Sequence, residues 1–384
     1  MIETGLNRAA AHIMIILHDF STGGTERVAI RLAARWAAAG RRVTILCGNG
    51  EGPARGVLDP RVTVHSVDPE IRRGALSRWR LATAFVPAVR RLRPDLIFVP
   101  GNFHLPIAGR LAHLLGDDRV PMICKLSNPL RGRKRSAAHQ WLFERAVLRP
   151  LAARMQGFVA MSESLRAEAA RLLPAAPLEL IDEPILDADS DCRGQTDRNA
   201  PLILCIGRLV PQKNFLLAIR ALASLSPVLG ARLLILGEGG QRGALEREAA
   251  RLGVADRVCL GGHVTDVRPA LASARLLLIT SEYEGYPAVA IEALAAGRPV
   301  VTTACSPAIG EILSHPSFGR ITPADPSAIA AAVIATFDAP FPDGAALAPL
   351  AARHQVETAA ARYLDLFDRT VRESAQPEVP PCLA

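Results

Sequence analysis

Ser281-Glu282-Tyr283-Glu284-Gly285-Tyr286-Pro287-Ala288-Val289-Ala290-Ile291-Glu292 follows the apolar run Leu276–Thr280 and is closed by Gly297. The run before it is short, uncharged and bounded by polar residues, so it reads as a buried strand. Pro287 suits the first turn of a helix, where its missing N–H is not needed, and Gly297 suits the position just past the helix end. Strand, polar loop and helix in that order place the loop at the carboxyl end of a strand in a parallel sheet, where open α/β sheets hold ligands. The amides of Gly285, Tyr286 and Ala288 are expected to point out of the helix N-terminus as an anion site. Glu284 lies just before the helix and Glu292 inside it, a spacing that spreads two carboxylates along one ligand instead of pairing them as a dyad. Carboxylates accept hydrogen bonds from vicinal hydroxyls, so a sugar and a ribose are natural partners.

The same alternation extends in both directions. Towards the N-terminus, strands are expected at Ile13–Leu17, Arg42–Cys47, Val62–Ser66, Leu96–Val99, Met122–Lys125, Gly157–Ala160 and Leu178–Ile181, with a helix from about Glu26 to Ala39 after the first. The polar, Asp-rich segment 186–200 interrupts the rhythm and reads as a linker. Beyond it come strands at Leu202–Ile206, Arg232–Leu236, Val258–Leu260, Leu276–Thr280 and Val300–Thr303, with helices near Phe215–Ser224, Gln241–Arg251 and Ala288–Ala296. The fold class is therefore α/β: two Rossmann-like, doubly wound parallel-sheet domains. The expected boundaries are 1–190 for the first domain and 191–355 for the second. Residues 356–384 are a last helix, about Val356–Glu373, crossing back toward the first domain, plus a loose tail.

Composition bounds what such a chain does. Of 384 residues 49% are hydrophobic and 21% charged, which excludes wholesale disorder. The longest charge-free run, Leu96 to Gly109, is fourteen residues, short of the ~20 a spanning helix requires. No cleavable leader is read at the N-terminus, so a cytoplasmic protein is expected. The seven cysteines form no CxxC pair and suggest neither a disulfide framework nor a zinc site. Residues 1–150 hold 24 Lys+Arg against 11 Asp+Glu, while residues 201–384 hold 16 against 17. A basic front half suits phosphates or an anionic membrane surface, although only three of the 45 cations are Lys, and Arg enrichment alone would also produce it. Two basic stretches, Arg72–Arg93 with Trp79 and Arg131–Arg154 with Trp141, read equally as solvated helix faces or as membrane-surface contacts. No aromatic-interleaved reading motif points to nucleic acid.

Three further elements sit at strand ends. Gly207-Arg208-Leu209-Val210-Pro211-Gln212-Lys213-Asn214 offers a guanidinium fork and a point charge for phosphate oxygens. Gly237-Glu238-Gly239-Gly240 is a second glycine turn, and Gly23-Gly24 follows the first strand without the GxGxxG spacing of a nicotinamide site. Asp187-Ala188-Asp189 has the form of a metal-binding DxD but lies in a polar linker and reads as a solvated acidic loop.

Together these residues resemble the retaining glycosyltransferases of the GT-B fold, glycosyltransferase family 4. The resemblance covers nearly the whole chain. It is strongest from about 200 to 315, where Glu284-x7-Glu292, Glu-Gly-Tyr-Pro and Ala-Gly-Arg-Pro-Val-Val occur in order. It implies two domains facing across a cleft and transfer of a sugar from a nucleotide-diphosphate donor, with a UDP-sugar expected. The acceptor would be a cell-surface glycan or a lipid-linked acceptor at the inner membrane face. By that resemblance Arg208 and Lys213 hold the diphosphate, Glu284 and the segment Gly285, Tyr286, Pro287 and Ala288 face the donor sugar and phosphates, and Glu292 binds the ribose. Gly23, Gly24 and Gly237 allow close approach to the donor, and Val264 contacts the base. No metal or other cofactor is implied. Where many relatives carry a His after the strand Met122–Lys125, this chain has Leu126 and Ser127, and His104 is assigned to the acceptor side instead. Asp182-Glu183-Pro184 also departs from the Asn-Pro that relatives usually carry. The competing readings are a catalytically silent nucleotide-sugar-binding protein and a same-fold epimerase.

Overall fold

The structure, a computed structural model, describes residues 9–21, 23–131, 136–173, 177–187 and 201–375. Arg133, Lys134 and Arg135, most of the Asp-rich linker with Asp189, and the tail beyond residue 375 lie outside the described residues. Within those described, one sheet has seven parallel strands: β1 (His12–Leu17), β2 (Arg42–Cys47), β3 (Thr63–Ser66), β4 (Leu96–Val99), β5 (Met122–Leu126), β6 (Gly157–Ala160) and β7 (Leu178–Leu180). Their order is β3-β2-β1-β4-β5-β6-β7. A second sheet has six, β8 (Leu202–Ile206), β9 (Arg232–Leu236), β10 (Val258–Gly262), β11 (Leu276–Ile279), β12 (Val300–Thr303) and β13 (Gly319–Thr322), ordered β10-β9-β8-β11-β12-β13.

Strands covered on both faces need apolar residues at successive positions, and β1, β4 and β11 are buried along their whole length. In the second sheet the two faces are visible in the alternation. Ile203, Cys205, Leu276 and Leu278 enter one core, and Leu204, Leu277 and Ile279 the other. Register follows: Leu204 lies between Leu234 and Leu277.

The chain divides into a first unit that runs to Pro184 and resumes at Val356, and a second unit, Ile185–Gln355. The transition thus falls before residue 190, because Ile185 and Leu186 are built into the second unit. Both amides donate to the His354 carbonyl, at 2.9 and 3.0 Å, and their side chains share a core with Leu347 and Leu350. The last helix, Val356–Ala375, packs in the first unit on the helix Gly24–Ala38. There Trp36, Phe98, Tyr363 and Phe367 stack edge to face or tilted, and Trp36 Nε1 donates to the Ala360 carbonyl at 3.2 Å.

Strand β13 and the helices Pro326–Phe337 and Gly344–Arg353 were not expected. Four residues, Gly-Arg-Ile-Thr, next to prolines carry no strand pattern. They pair only because Gly319 lets the backbone come close to Val300: a Cβ at Gly319 would fall 1.8 Å from the Val300 carbonyl oxygen.

Candidate functional site

In the second sheet β8 and β11 are neighbours although far apart in sequence, and connections leave them toward opposite edges. Such a switch point opens a crevice at the carboxyl ends, where two loops meet. After β8 come Gly207, Arg208 and the short turn Pro211–Lys213; left-handed Asn214 (φ 49°) then starts the helix Phe215–Ala223. After β11 comes the segment from Thr280 to Pro287.

The loops are laced together. Thr280 Oγ1 donates to the Lys213 carbonyl (3.1 Å), the Glu282 amide to the Gln212 carbonyl (2.8 Å), and Gln212 Nε2 to the Tyr283 carbonyl (2.9 Å). Lys213 Nζ lies 2.5 Å from Glu284 Oε1, which also accepts from Ser281 Oγ at 2.6 Å. The loop after β12 supports this arrangement from behind. Its Cys305 carbonyl accepts the Glu284 amide at 2.7 Å, Thr303 Oγ1 donates to the Ser281 carbonyl at 2.8 Å, and Ser306 Oγ to the Gly285 carbonyl at 3.3 Å. Arg208 is exposed and makes no ion pair among the described residues.

One expected anion donor is already used. Pro287 precedes the helix Ala288–Ala295 with φ −80° and ψ 72°, and the Ala288 amide donates to the Tyr286 carbonyl at 2.9 Å. That is an inverse γ-turn, which the proline ring favours by fixing φ. The expectation that the Ala288 amide serves as an anion donor is corrected accordingly. Glu292 is half-buried on the same helix.

Tyr286 brings in a residue that sequence reasoning missed. Its hydroxyl is 2.6 Å from Nε2 of His354, which is 1% exposed, and His354 Nδ1 is 2.8 Å from the Leu350 carbonyl. A carbonyl only accepts, so Nδ1 carries the proton and Nε2 accepts from the tyrosine. Nothing near His354 in sequence announced this, whereas Ser281 and Gln212 stood inside the quoted motifs.

Gly237 places the turn after β9 against the turn after β8. With φ 143°, a Cβ there would fall 1.9 Å from the Gly207 carbonyl oxygen, and its amide donates to the Gly262 carbonyl at 2.7 Å. Val264, after β10, is half-buried against the second unit's core. Arg208, Lys213, Gly237, Val264, Glu284 and the residues from Gly285 to Glu292 thus follow strand ends on one edge of one sheet.

Gly23, Gly24 and His104 belong to the first unit. Gly23 caps the helix Gly24–Ala38; a Cβ there would fall 2.2 Å from Glu26 Oε2, while Gly24 has open space. Glu26 is buried and accepts from Arg73 at 2.8 Å. Arg73 also grips Asp19 at 2.6 and 2.9 Å; burial alone would raise that carboxyl, but the guanidinium holds it at about 2. His104 is enclosed, 1% exposed, instead of lining an open surface, and neither ring nitrogen has a hydrogen-bond partner among the described residues. Burial, with Arg73 nearby, pushes its pKa down to about 3, so the ring is neutral. Among the described residues no three His, Cys, Asp or Glu gather as metal ligands, and no helix is long and apolar enough to cross a membrane.

Residues 23–182 match the glycosyl transferase 4-like domain family, and residues 200–338 match the glycosyl transferases group 1 family. The chain is similar to the lipopolysaccharide core biosynthesis glycosyltransferase LpsE of Rhizobium meliloti, 38% identical over 108 residues, 28% of this chain and 31% of that protein. It is also similar to a GDP-mannose-dependent alpha-(1-6)-phosphatidylinositol dimannoside mannosyltransferase of Mycobacterium tuberculosis, 38% identical over 136 residues, 34% of each chain. The matched stretch is thus about a third of the length of these curated relatives. In fold it is similar to HepE of Anabaena, solved in complex with UDP and glucose. There the TM-score is 0.70 at 18% identity, covering 96% of this chain and 99% of that one.

Proposed function

The chain belongs to the group 1 glycosyl transferases of the GT-B fold, and from that premise we propose that it moves a sugar from a nucleotide-diphosphate donor, a UDP-sugar, to a glycan or lipid-linked acceptor with retention at the anomeric carbon. The observation that carries this reading is that Arg208 and Lys213 follow β8 and Glu284 follows β11 at the second sheet's switch point, with Lys213 paired to Glu284. HepE's complex with UDP and glucose supports a uridine donor, and LpsE supports a surface-glycan product.

In this mechanism the acceptor hydroxyl oxygen bonds to the anomeric carbon while the bond from that carbon to the β-phosphate oxygen breaks. The departing diphosphate takes the hydroxyl proton on the same face, which preserves configuration without a protein nucleophile. Negative charge grows on the diphosphate, and Arg208, Lys213 and the Gly285 and Tyr286 amides oppose it. These protein cations do the work for which other transferases recruit a metal, so no cofactor is proposed. Glu292 takes the ribose hydroxyls, Glu284 a hydroxyl of the donor sugar, and Val264 the base. The basic first unit is proposed to rest on anionic lipid at the inner membrane face. Exposed Trp79 and Trp141, each under an arginine (Arg110 at 4.5 Å, Arg145 at 5.1 Å), support that contact.

The test is a melting screen of the full chain with UDP, GDP, ADP and their sugar conjugates, without added metal, followed by donor turnover. One nucleotide family should raise Tm by several degrees near saturation. The shift should vanish in Glu292→Ala, and transfer should fall ~10²–10³-fold in Arg208→Ala. No shift with any nucleotide up to millimolar concentration would overturn the donor site, and binding without turnover would leave a silent binding protein.

A further inference from the structure

The cation expected to hold the diphosphate is already held by a carboxylate of the same chain. Lys213 and Glu284 side chains are 17% and 11% exposed, so their 2.5 Å contact is screened less than a surface ion pair. Glu284 is not free to swing away easily. Ser281 donates to the same oxygen, and the backbone amide of Glu284 is fixed to the Cys305 carbonyl. Arg208, exposed and without an ion pair among the described residues, has no such competitor.

Two kinds of nucleotide would meet this pair differently. A bare nucleoside diphosphate ends in a phosphate carrying about −1.5 to −2 at neutral pH. That phosphate would have to take Lys213 from Glu284 and then sit beside the displaced carboxylate. A sugar conjugate presents a capped phosphate of lower charge, and its hydroxyls can donate to Glu284. We propose that Glu284, positioned by Ser281, is a specificity-determining residue that disfavours the bare nucleoside diphosphate relative to the sugar-loaded donor. In a transferase the spent nucleotide is thereby pushed out once the sugar has left. This rests on the donor-site reading above, which places the diphosphate at Arg208 and Lys213.

The experiment is calorimetric titration of the full chain with UDP, GDP and ADP and with the glucose conjugate of each. Proteins compared are the parent, Glu284→Gln, Lys213→Met and the double variant. The bare diphosphate that binds the parent should bind Glu284→Gln about tenfold more tightly, and the gain should shrink with added salt. Its glucose conjugate should bind no tighter than before, and the gain should be absent when Lys213 is Met. Ser281→Ala, which releases the same carboxylate without changing charge, should give a smaller gain of the same sign and serves if Glu284→Gln does not fold. Unchanged or weaker binding of the bare diphosphate by a folded variant overturns this proposal and leaves the donor site standing. Failure of all three nucleotides to bind the parent overturns the donor site, and this proposal with it.

Discussion

At the first sheet's switch point His18 follows β1 and His104 follows β4, 0% and 1% exposed; at the second's, Arg208 and Lys213 follow β8 and Glu284 follows β11, all at least partly open to water. Both sheets are parallel with the same reversal of strand order in the middle, so topology alone offers each a crevice. The difference lies in what encloses the polar groups. In the first unit Lys125 near the end of β5 is 1% exposed and ion-paired to Glu183 at 2.7 Å. Enclosed groups of this kind are walled off from solvent and from any ligand, and their effect is felt in stability. The half-open pair in the second unit can exchange its partner for a ligand at lower cost. Sharing an architecture therefore says little about which sheet edge handles charge.

The largest expected effect breaks the enclosed side of this comparison. Lys125→Met strands the Glu183 carboxylate in the interior and should destabilise the first unit by about 3–5 kcal/mol, read from urea unfolding. Adding Glu183→Gln should restore part of that loss. A cost below ~1 kcal/mol would mean the pair behaves as a hydrated one.

Next in size is acid sensitivity. His104 has a folded pKa of about 3 against 6.5 for an unperturbed ring, because burial opposes the charged form. Below about pH 6.5 the unfolded chain binds this proton and the folded one does not. Stability therefore falls with pH, at up to about 1.4 kcal/mol per unit, until the folded pKa is reached. Between pH 7 and pH 5, His104→Phe should lose about 2 kcal/mol less than the parent. Equal losses would show that the ring protonates in place. His18, shifted the same way by burial, adds to the same limb.

The smallest effect sharpens the half-open side. Tyr286→Phe removes the hydroxyl that lies against His354 Nε2, at a cost of about 1 kcal/mol. If the tyrosine positions the loop, donor KM should rise severalfold with kcat changed less. An unchanged KM would make the contact purely structural.

Sequence by itself determined the alternation, nearly every strand and the motifs at their ends, because burial on both faces writes continuous apolar runs and turn chemistry is local. It did not determine β13, which Gly319 admits only beside Val300, or the helices in the Pro- and Ala-rich stretch. Nor could it show that Ala288 spends its amide in a γ-turn. The engagement of Lys213 by Glu284 and of Tyr286 by His354 spans 71 and 68 residues of chain. A pattern read over a dozen residues fixes which side chains stand at the end of a strand. Which of them then meet depends on how strands are ordered across the sheet, and strand order is set by packing over the whole unit.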